Sequence, residues 1–277
     1  MVLLKHFSLL FIVHGLLSIM KAMIFAAGLG TRLKPLTDTM PKALVPLAGK
    51  PLLQWQVEKL RDAGIRDIVV NVHHFPDMII DTIRRNNGWG CNISISDERD
   101  CLLDTGGGLR KAWREGLLGK DKPVLACNVD ILSNIDIRAL MAAYNPSDLG
   151  LLVVSERPTQ RYLFFDEYHR LRCWRNIATG DCRPGIIDGK SINLREVDNW
   201  QRLAFSGMQI LSPAFFPLLE ETALFYGDKF SLIDSYLDVV VAKRKGEFLS
   251  YIPQNYRMMD VGKIDQIDAA EEFAQSL

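Results

Sequence analysis

The 277-residue sequence has no surplus charge of either sign. Lys plus Arg and Asp plus Glu number 33 each, for a formal net charge of zero. A broad nucleic-acid or membrane surface needs a basic excess, so no nucleic acid and no stable membrane association is expected. A local basic pocket is still allowed. Cysteine is sparse and unpatterned. Cys91, Cys101, Cys127, Cys173 and Cys182 form an odd set without C-x-x-C spacing. That argues against zinc or a disulfide framework and for reduced thiols, hence a cytoplasmic protein. Internal repeats, low-complexity segments and linkers are also missing. At 48% hydrophobic residues the chain has enough apolar material for a full core.

Long apolar runs are nearly absent too. Phe7 to Ile19 is mostly apolar, with Lys5 ahead of it, but it is short for a membrane span and carries His14. It also lacks the small-x-small site of a cleaved signal peptide before Lys21. A third reading, preferred here for the apolar segment 1–20, takes Met20 as the natural start and the residues upstream of it as a misassigned extension. A single domain is then expected over 21–277.

What is present begins at once after that extension. Lys21 to Ala27 reads as a buried strand, and it breaks into Gly28-Leu29-Gly30-Thr31-Arg32-Leu33. Glycines after a strand make either a tight turn or a nest of outward N–H groups for an anion, with Arg32 as a fixed positive fork beside it. Pro51 opens a helix with Leu53, Val57 and Leu60 on its apolar face, stopped by Gly64. Asp67 to Val72 is a second strand, a helix runs from about Pro76 to Arg85, and Ile93 to Ser96 is a third strand. Such alternation means a parallel sheet. His73 and His74, without a third ligand in register, read as a polar strand-end loop.

Asp104-Thr105-Gly106-Gly107-Gly108 precedes a helix. It is either a flexible loop or a platform whose N–H groups face a flat ligand. Pro123 to Asp130 is a fourth strand ending in a carboxylate, which can cap a helix or hold a divalent cation. The second half is richer in strands: Leu149 to Ser155, Tyr162 to Asp166, Leu171 to Arg175, and Leu203 to Leu211. In the last of these, Gly207 marks a bulge or a close approach. Lys229 meets a sugar phosphate or, more blandly, caps a turn. Ser231 to Lys243 reads as an amphipathic helix and Glu247 to Ile252 as a strand. A loop carrying Asp260 then leads into the C-terminal helix.

The string from Gly28 to Pro46, G-x-G-T-R-L-x-P-L-T followed by P-K-x-L-x-P, resembles the signature of sugar-1-phosphate nucleotidyltransferases. The resemblance extends from Lys21 to about Phe273. It implies a three-layer α/β/α sandwich with a mainly parallel central sheet, its nucleotide-binding part about 21–148 and its sugar-binding part about 149–277. It also implies that Arg32 and Lys42 sit on the phosphates of a nucleoside triphosphate, in a site completed by Ala27, Gly28, Gly30, Thr31 and Asn128. Thr105, Gly106 and Gly107 would hold the base, and Gly207 with Lys229 the sugar phosphate. Asp130 and Asp260 would hold Mg2+. Val129 and Lys263 depart from the usual Gly and Thr at their places.

The implied reaction joins a nucleoside triphosphate to a sugar 1-phosphate and releases pyrophosphate. The Thr-Gly-Gly-Gly form resembles the N-acetylmuramate-1-phosphate uridylyltransferase branch, which favours UTP. GTP with a heptose or mannose phosphate is the alternative, and cytidylyl transfer to phosphocholine shares the front motif. A glycosyltransferase would carry D-x-D, which is absent. A non-catalytic homologue would be expected to have lost Lys42, Asp130 or Asp260. A homo-oligomer remains open.

Overall fold

The computed structural model describes residues 20–187 and 189–277. The apolar run before Met20, and its reading as an extension, lie outside the described residues. The first half alternates as expected. Strand β1 (Lys21–Phe25) leads to helix α1 (Leu52–Asp62), then β2 (Asp67–Val72), α2 (Pro76–Arg85), β3 (Asn92–Asp97), α3 (Asp104–Arg114) and β4 (Val124–Asn128). Pro51 stands just outside α1, in extended conformation at its N-cap. A short strand β5 (Ile131–Ser133) and helix α4 (Ile137–Ala143) complete this half.

The second half supplies β6 (Gly150–Ser155), β7 (Arg161–Phe165), β8 (Leu171–Asn176), β9 (Cys182–Arg183) and the long β10 (Gln201–Leu211). Helix α5 (Phe216–Tyr226) follows, then α6 (Leu232–Asp234), β11 (Phe248–Tyr251), β12 (Met258–Asp260) and α7 (Ile267–Gln275). Helix α6 runs into a π-helical segment, Ser235–Val241. A capping box between Ser231 and Asp234 starts it. The expected amphipathic helix is therefore corrected: all but Asp238 of Ser235–Val241 is buried, because the segment is covered on nearly every side.

Among the described residues the central sheet has ten strands, ordered β9-β8-β7-β10-β4-β1-β2-β3, with β6 on β10 and β11 on β6. The pairings make every strand run one way except β8 and β10. Alternation along β1 divides the core. Ala22 and Ile24 face the layer of α1, α2, α4 and α7, while Met23 and Phe25 face the layer of α3 and α5. Successive strand side chains point to opposite faces, so one strand serves two helical layers. The architecture is the three-layer sandwich. Its sheet is continuous across the boundary near residue 148.

The order β3-β2-β1-β4 fixes where a ligand can bind. The chain moves outward from β1 with α1 and α2 on one face. It then returns past β1 to β4 with α3 on the other. Ligands in open α/β sheets bind at such a reversal, outside the carboxyl ends of the strands. No helix among the described residues is long and apolar enough to cross a membrane.

Candidate active site

Strands β1 and β4 end side by side. Phe25 and Asn128 are register partners, and the Val129 N–H donates to the Phe25 carbonyl at 3.2 Å. Two segments therefore leave the sheet at one point: the loop from Ala26 to Gly30, and the stretch that carries Asp130. Val129 is buried in the α1-side core, so its branched side chain is used for packing.

The loop is held from beneath by a buried polar chain. The Ala26 N–H donates to Asn71 Oδ1 at 2.7 Å, and Asn71 Nδ2 to Glu98 Oε1 at 2.8 Å. The Leu103 N–H donates to Glu98 Oε2 at 3.3 Å. Burial pushes the Glu98 carboxyl above the ordinary Glu range, and the bonds from Asn71 and Leu103 offset part of that. Neither Asn71 nor Glu98 is a candidate from the sequence. The signal for Asn71 is a lone amide inside the apolar strand β2.

Above this support Ala27 is buried, and Gly28 is exposed with open space where a side chain would stand. Gly30 has φ 64°, and a Cβ there would meet Thr37 Cγ2 at 2.8 Å and Lys42 Cβ at 3.0 Å. Its left-handed backbone turns the chain into the single turn Thr31–Leu33. Leu33, Thr37, Ala43 and Val45 then anchor the segment in the core. Part of this stretch is thus anchor, and it leaves Thr31 and Arg32 exposed.

Lys42 Nζ donates to Asp130 Oδ2 in a close ion pair, with the two side chains 12% and 14% exposed. Asp260 joins them from the C-terminal side. The expected loop around it is corrected: Asp260 ends β12, which pairs antiparallel with β5 so that Asp260 lies opposite Ile131. The Val261 N–H donates to the Asp130 carbonyl at 2.8 Å. A backbone ladder, and not a free loop, therefore brings the two carboxylates together.

Asp260 Oδ1 is buried and has no hydrogen-bond partner. Burial first, and then the Asp130 carboxylate, push its carboxyl above the ordinary Asp range, while Lys42 and Arg32 pull the other way. Arg32 reaches the same place. A Cβ on Gly262 would stand 2.6 Å from Asp260 Oδ1 and 2.7 Å from Arg32 Nη2. Arg32, Lys42, Asp130 and Asp260 are thus one cluster of two cations and two carboxylates. Hard oxygens facing each other with one atom unsatisfied suit a divalent cation. Among the described residues no group of three or more His, Cys, Asp or Glu side chains gathers to hold a metal. The protein would offer two carboxylates and leave the other positions to substrate oxygens.

Two candidates sit beside the cluster. Asn128 faces Gly207: a Cβ on Gly207 would be 3.0 Å from Asn128 Nδ2 and 2.9 Å from Ile131 Cγ1. Gly207 has φ 69° at a register shift in β10, so it is a bulge closely approached by the chain itself. The glycine run differs from expectation. It lies inside α3 instead of before it. The Gly106 and Gly107 N–H groups donate to the Phe230 carbonyl at 2.9 and 3.1 Å. A Cβ on Gly107 would stand 2.1 Å from the Asp228 carbonyl oxygen. The crossing segment needs a surface without side chains, so these amides serve the protein's own backbone. Thr105 Oγ1 accepts from the Leu232 N–H at 3.1 Å. Lys229 is exposed on the crossing segment. His73 and His74 contact the backbone carbonyls of Glu98 and Thr37.

Known proteins resemble this chain in sequence and in fold. The family model described as nucleotidyl transferase matches residues 21–162, just over half of the chain. The chain is 38% identical over 151 residues to an N-acetylmuramate alpha-1-phosphate uridylyltransferase of Caulobacter vibrioides, covering 52% of this chain and 61% of that protein. To the enzyme of the same name from Neisseria meningitidis it is 44% identical over 120 residues, covering 43% and 51%. The match thus spans only a half to three fifths of those relatives' length. A crystal structure of HddC from Yersinia pseudotuberculosis complexed with GMP-PN superposes with a TM-score of 0.67 at 22% identity, over 92% of this chain and 99% of that one. A UDP-glucose pyrophosphorylase complexed with UDP-glucose gives 0.69 at 20%, over 94% and 100%.

Proposed function

The chain belongs to the nucleotidyl transferase family, and from that premise we propose that it joins UTP to a sugar 1-phosphate, giving a nucleotide-sugar and pyrophosphate. The observation that carries this reading is the cluster of Arg32, Lys42, Asp130 and Asp260 beside an anchored glycine loop. In-line attack of a phosphate oxygen on the α-phosphorus needs positioning and charge neutralisation more than a protein nucleophile. Arg32 and Lys42 bind the triphosphate and steady the charge that develops on the leaving pyrophosphate. The loop from Ala27 to Thr31 receives phosphate oxygens, with Asn128 alongside. Gly207, beside Asn128, and Lys229, exposed on the segment that crosses Gly106 and Gly107, would serve the sugar phosphate. Gly106 and Gly107, with Thr105, shape the wall of the base subsite through their packing against residues 228–232.

Asp130 and Asp260 would hold Mg2+, which would supply neutralisation of phosphate charge. Lys42 pairs with Asp130 in this structure, so the side chain assigned to the phosphates also reaches a carboxylate of the cation site. The muramate-phosphate relatives support UTP. A second reading is guanylyl transfer to a mannose or heptose phosphate. It is supported by a mannose-1-phosphate guanyltransferase of Yarrowia lipolytica, 35% identical over 139 residues and covering 50% of this chain and 38% of that protein. The five described cysteines are free thiols, which suits the cytoplasm. The test is pyrophosphate release from UTP, GTP, CTP and dTTP against a panel of sugar and alcohol phosphates with magnesium. Release with UTP and a hexosamine-type 1-phosphate is expected. No release with any pair would overturn the reading.

A further inference from the structure

The two aspartates are carried by a ribbon that does not belong to the central sheet. Strands β5 and β12 form a separate two-stranded sheet. Its ladder runs through Asp130, Leu132 and Asn134: the Val261 N–H donates to the Asp130 carbonyl, and the Asn134 N–H to the Arg257 carbonyl at 3.1 Å. Alternation along a strand then turns the carbonyls of Ile131 and Ser133 to the outer edge. Such an edge is unpaired unless another element covers it.

Helix α1 covers it with two side chains. Gln56 Nε2 donates to the Ile131 carbonyl at 2.6 Å. Lys59 Nζ donates to the Ser133 carbonyl, and to Ser133 Oγ at 3.1 Å. Gln56 is 1% exposed, on the same helical face as Leu53, Val57 and Leu60, which are core residues. Residues three apart share a helix face, so the two donors meet carbonyls two residues apart on the strand. An amide on an apolar stripe needs a partner, and here that partner is the backbone next to Asp130.

We infer that Gln56 and Lys59 are positioning residues that hold β5 against α1 and thereby keep rigid the ladder that sets the separation of the Asp130 and Asp260 carboxylates. Both spend their donors on Ile131 and Ser133. Their action is on how well the two aspartates share one cation. The inference rests on the proposed cation site and not on the identity of the nucleotide or sugar.

The experiment titrates Mn2+ alone into the full-length protein, followed by calorimetry and by electron paramagnetic resonance, with melting curves in chelator. The proteins are wild type, Gln56→Met, Lys59→Met, Lys59→Arg and Asp130→Asn. Methionine keeps the length and burial of either side chain and removes the donor. A cleft of about 180 Å³ beside Lys59 gives arginine room. Direct partners of metal ligands typically alter affinity by about 10- to 100-fold, and Gln56 and Lys59 act one step further out, which sets the lower end as the expectation. Gln56→Met and Lys59→Met are therefore expected to weaken Mn2+ binding about tenfold, with Lys59→Arg restoring most of it. Asp130→Asn should abolish it. If Asp130→Asn abolishes binding while folded Gln56→Met and Lys59→Met bind as wild type, the positioning inference alone falls. If Asp130→Asn binds normally, the cation reading falls and takes the inference with it. Should Gln56→Met fail to fold, the Lys59 pair decides.

Discussion

Lys42 and Asp130 meet as an ion pair across 88 residues of sequence. Lys42 comes from a turn pinned to the core by Ala43 and Val45, and Asp130 from the stretch just past the carboxyl end of β4. The pair ties the two segments that leave the sheet at its switch point. The lysine read from the sequence as a phosphate ligand thus has a carboxylate partner within the protein.

Replacing Lys42 should therefore act on chemistry more than on folding. Lys42→Ala is expected to lower kcat by about two orders of magnitude, the scale of losing one preorganised charge at a transition state. The neighbouring Ala43 and Val45 keep the turn in place. Steady-state kinetics with circular dichroism melting will check this, and near-normal turnover in a folded variant would make Lys42 a structural residue.

Asp130 and Asp260 should behave as one unit. Asp130→Asn and Asp260→Asn are each expected to abolish turnover, and the double variant should lose little more than either single one. Nucleotide should still bind, more weakly, through the loop and Arg32. Assays across magnesium concentrations give the comparison. Independent, multiplicative losses would show that the two do not share an ion.

The pH dependence of stability has a definite sign. Asp260 is raised above its ordinary value by burial and by Asp130. The folded state thus holds that proton more tightly than the unfolded state does. Its contribution is greatest in acid and is lost as pH rises from about 3.8 through the raised value. Without divalent cations, the stability difference between wild type and Asp260→Asn should move against wild type as pH climbs from 3.5 to neutrality, about the carboxylate range. Magnesium should cancel the trend by binding the folded state. Chemical denaturation at each pH, with and without chelator, measures both. A flat difference would mean that Asp260 carries no raised affinity for its proton.

Gly262→Ala tests the packing of Arg32 against Asp260. The new methyl would collide only with the ends of two side chains, Asp260 Oδ1 and Arg32 Nη2. Both can swing aside, so melting temperature should change little. Turnover should fall by about tenfold to a hundredfold, because displacements near 1 Å cost that much in oriented transfer. Unchanged kinetics would show that neither contact matters to the reaction.

The chain's order along the sequence already determined a good deal. The mainly apolar runs at 22–27, 68–72 and 124–127, separated by helical periodicity, specify a parallel sheet because strands buried on both faces are nearly continuous in apolar residues. The glycine loop and Arg32 were legible because a short ordered signature fixes backbone and charge locally. Only the tertiary structure decided the rest. That Asp260 ends a strand paired with the residues after Asp130 depends on a ladder formed between segments far apart in sequence. That Gly106 and Gly107 serve Phe230 and Asp228 instead of open space depends on where residues 228–230 cross. The roles of Gln56, Asn71 and Glu98 were hidden for the same reason. A polar side chain in an apolar stretch announces that it needs a partner, but burial and a hydrogen bond are properties of two segments together, and only the fold names the second.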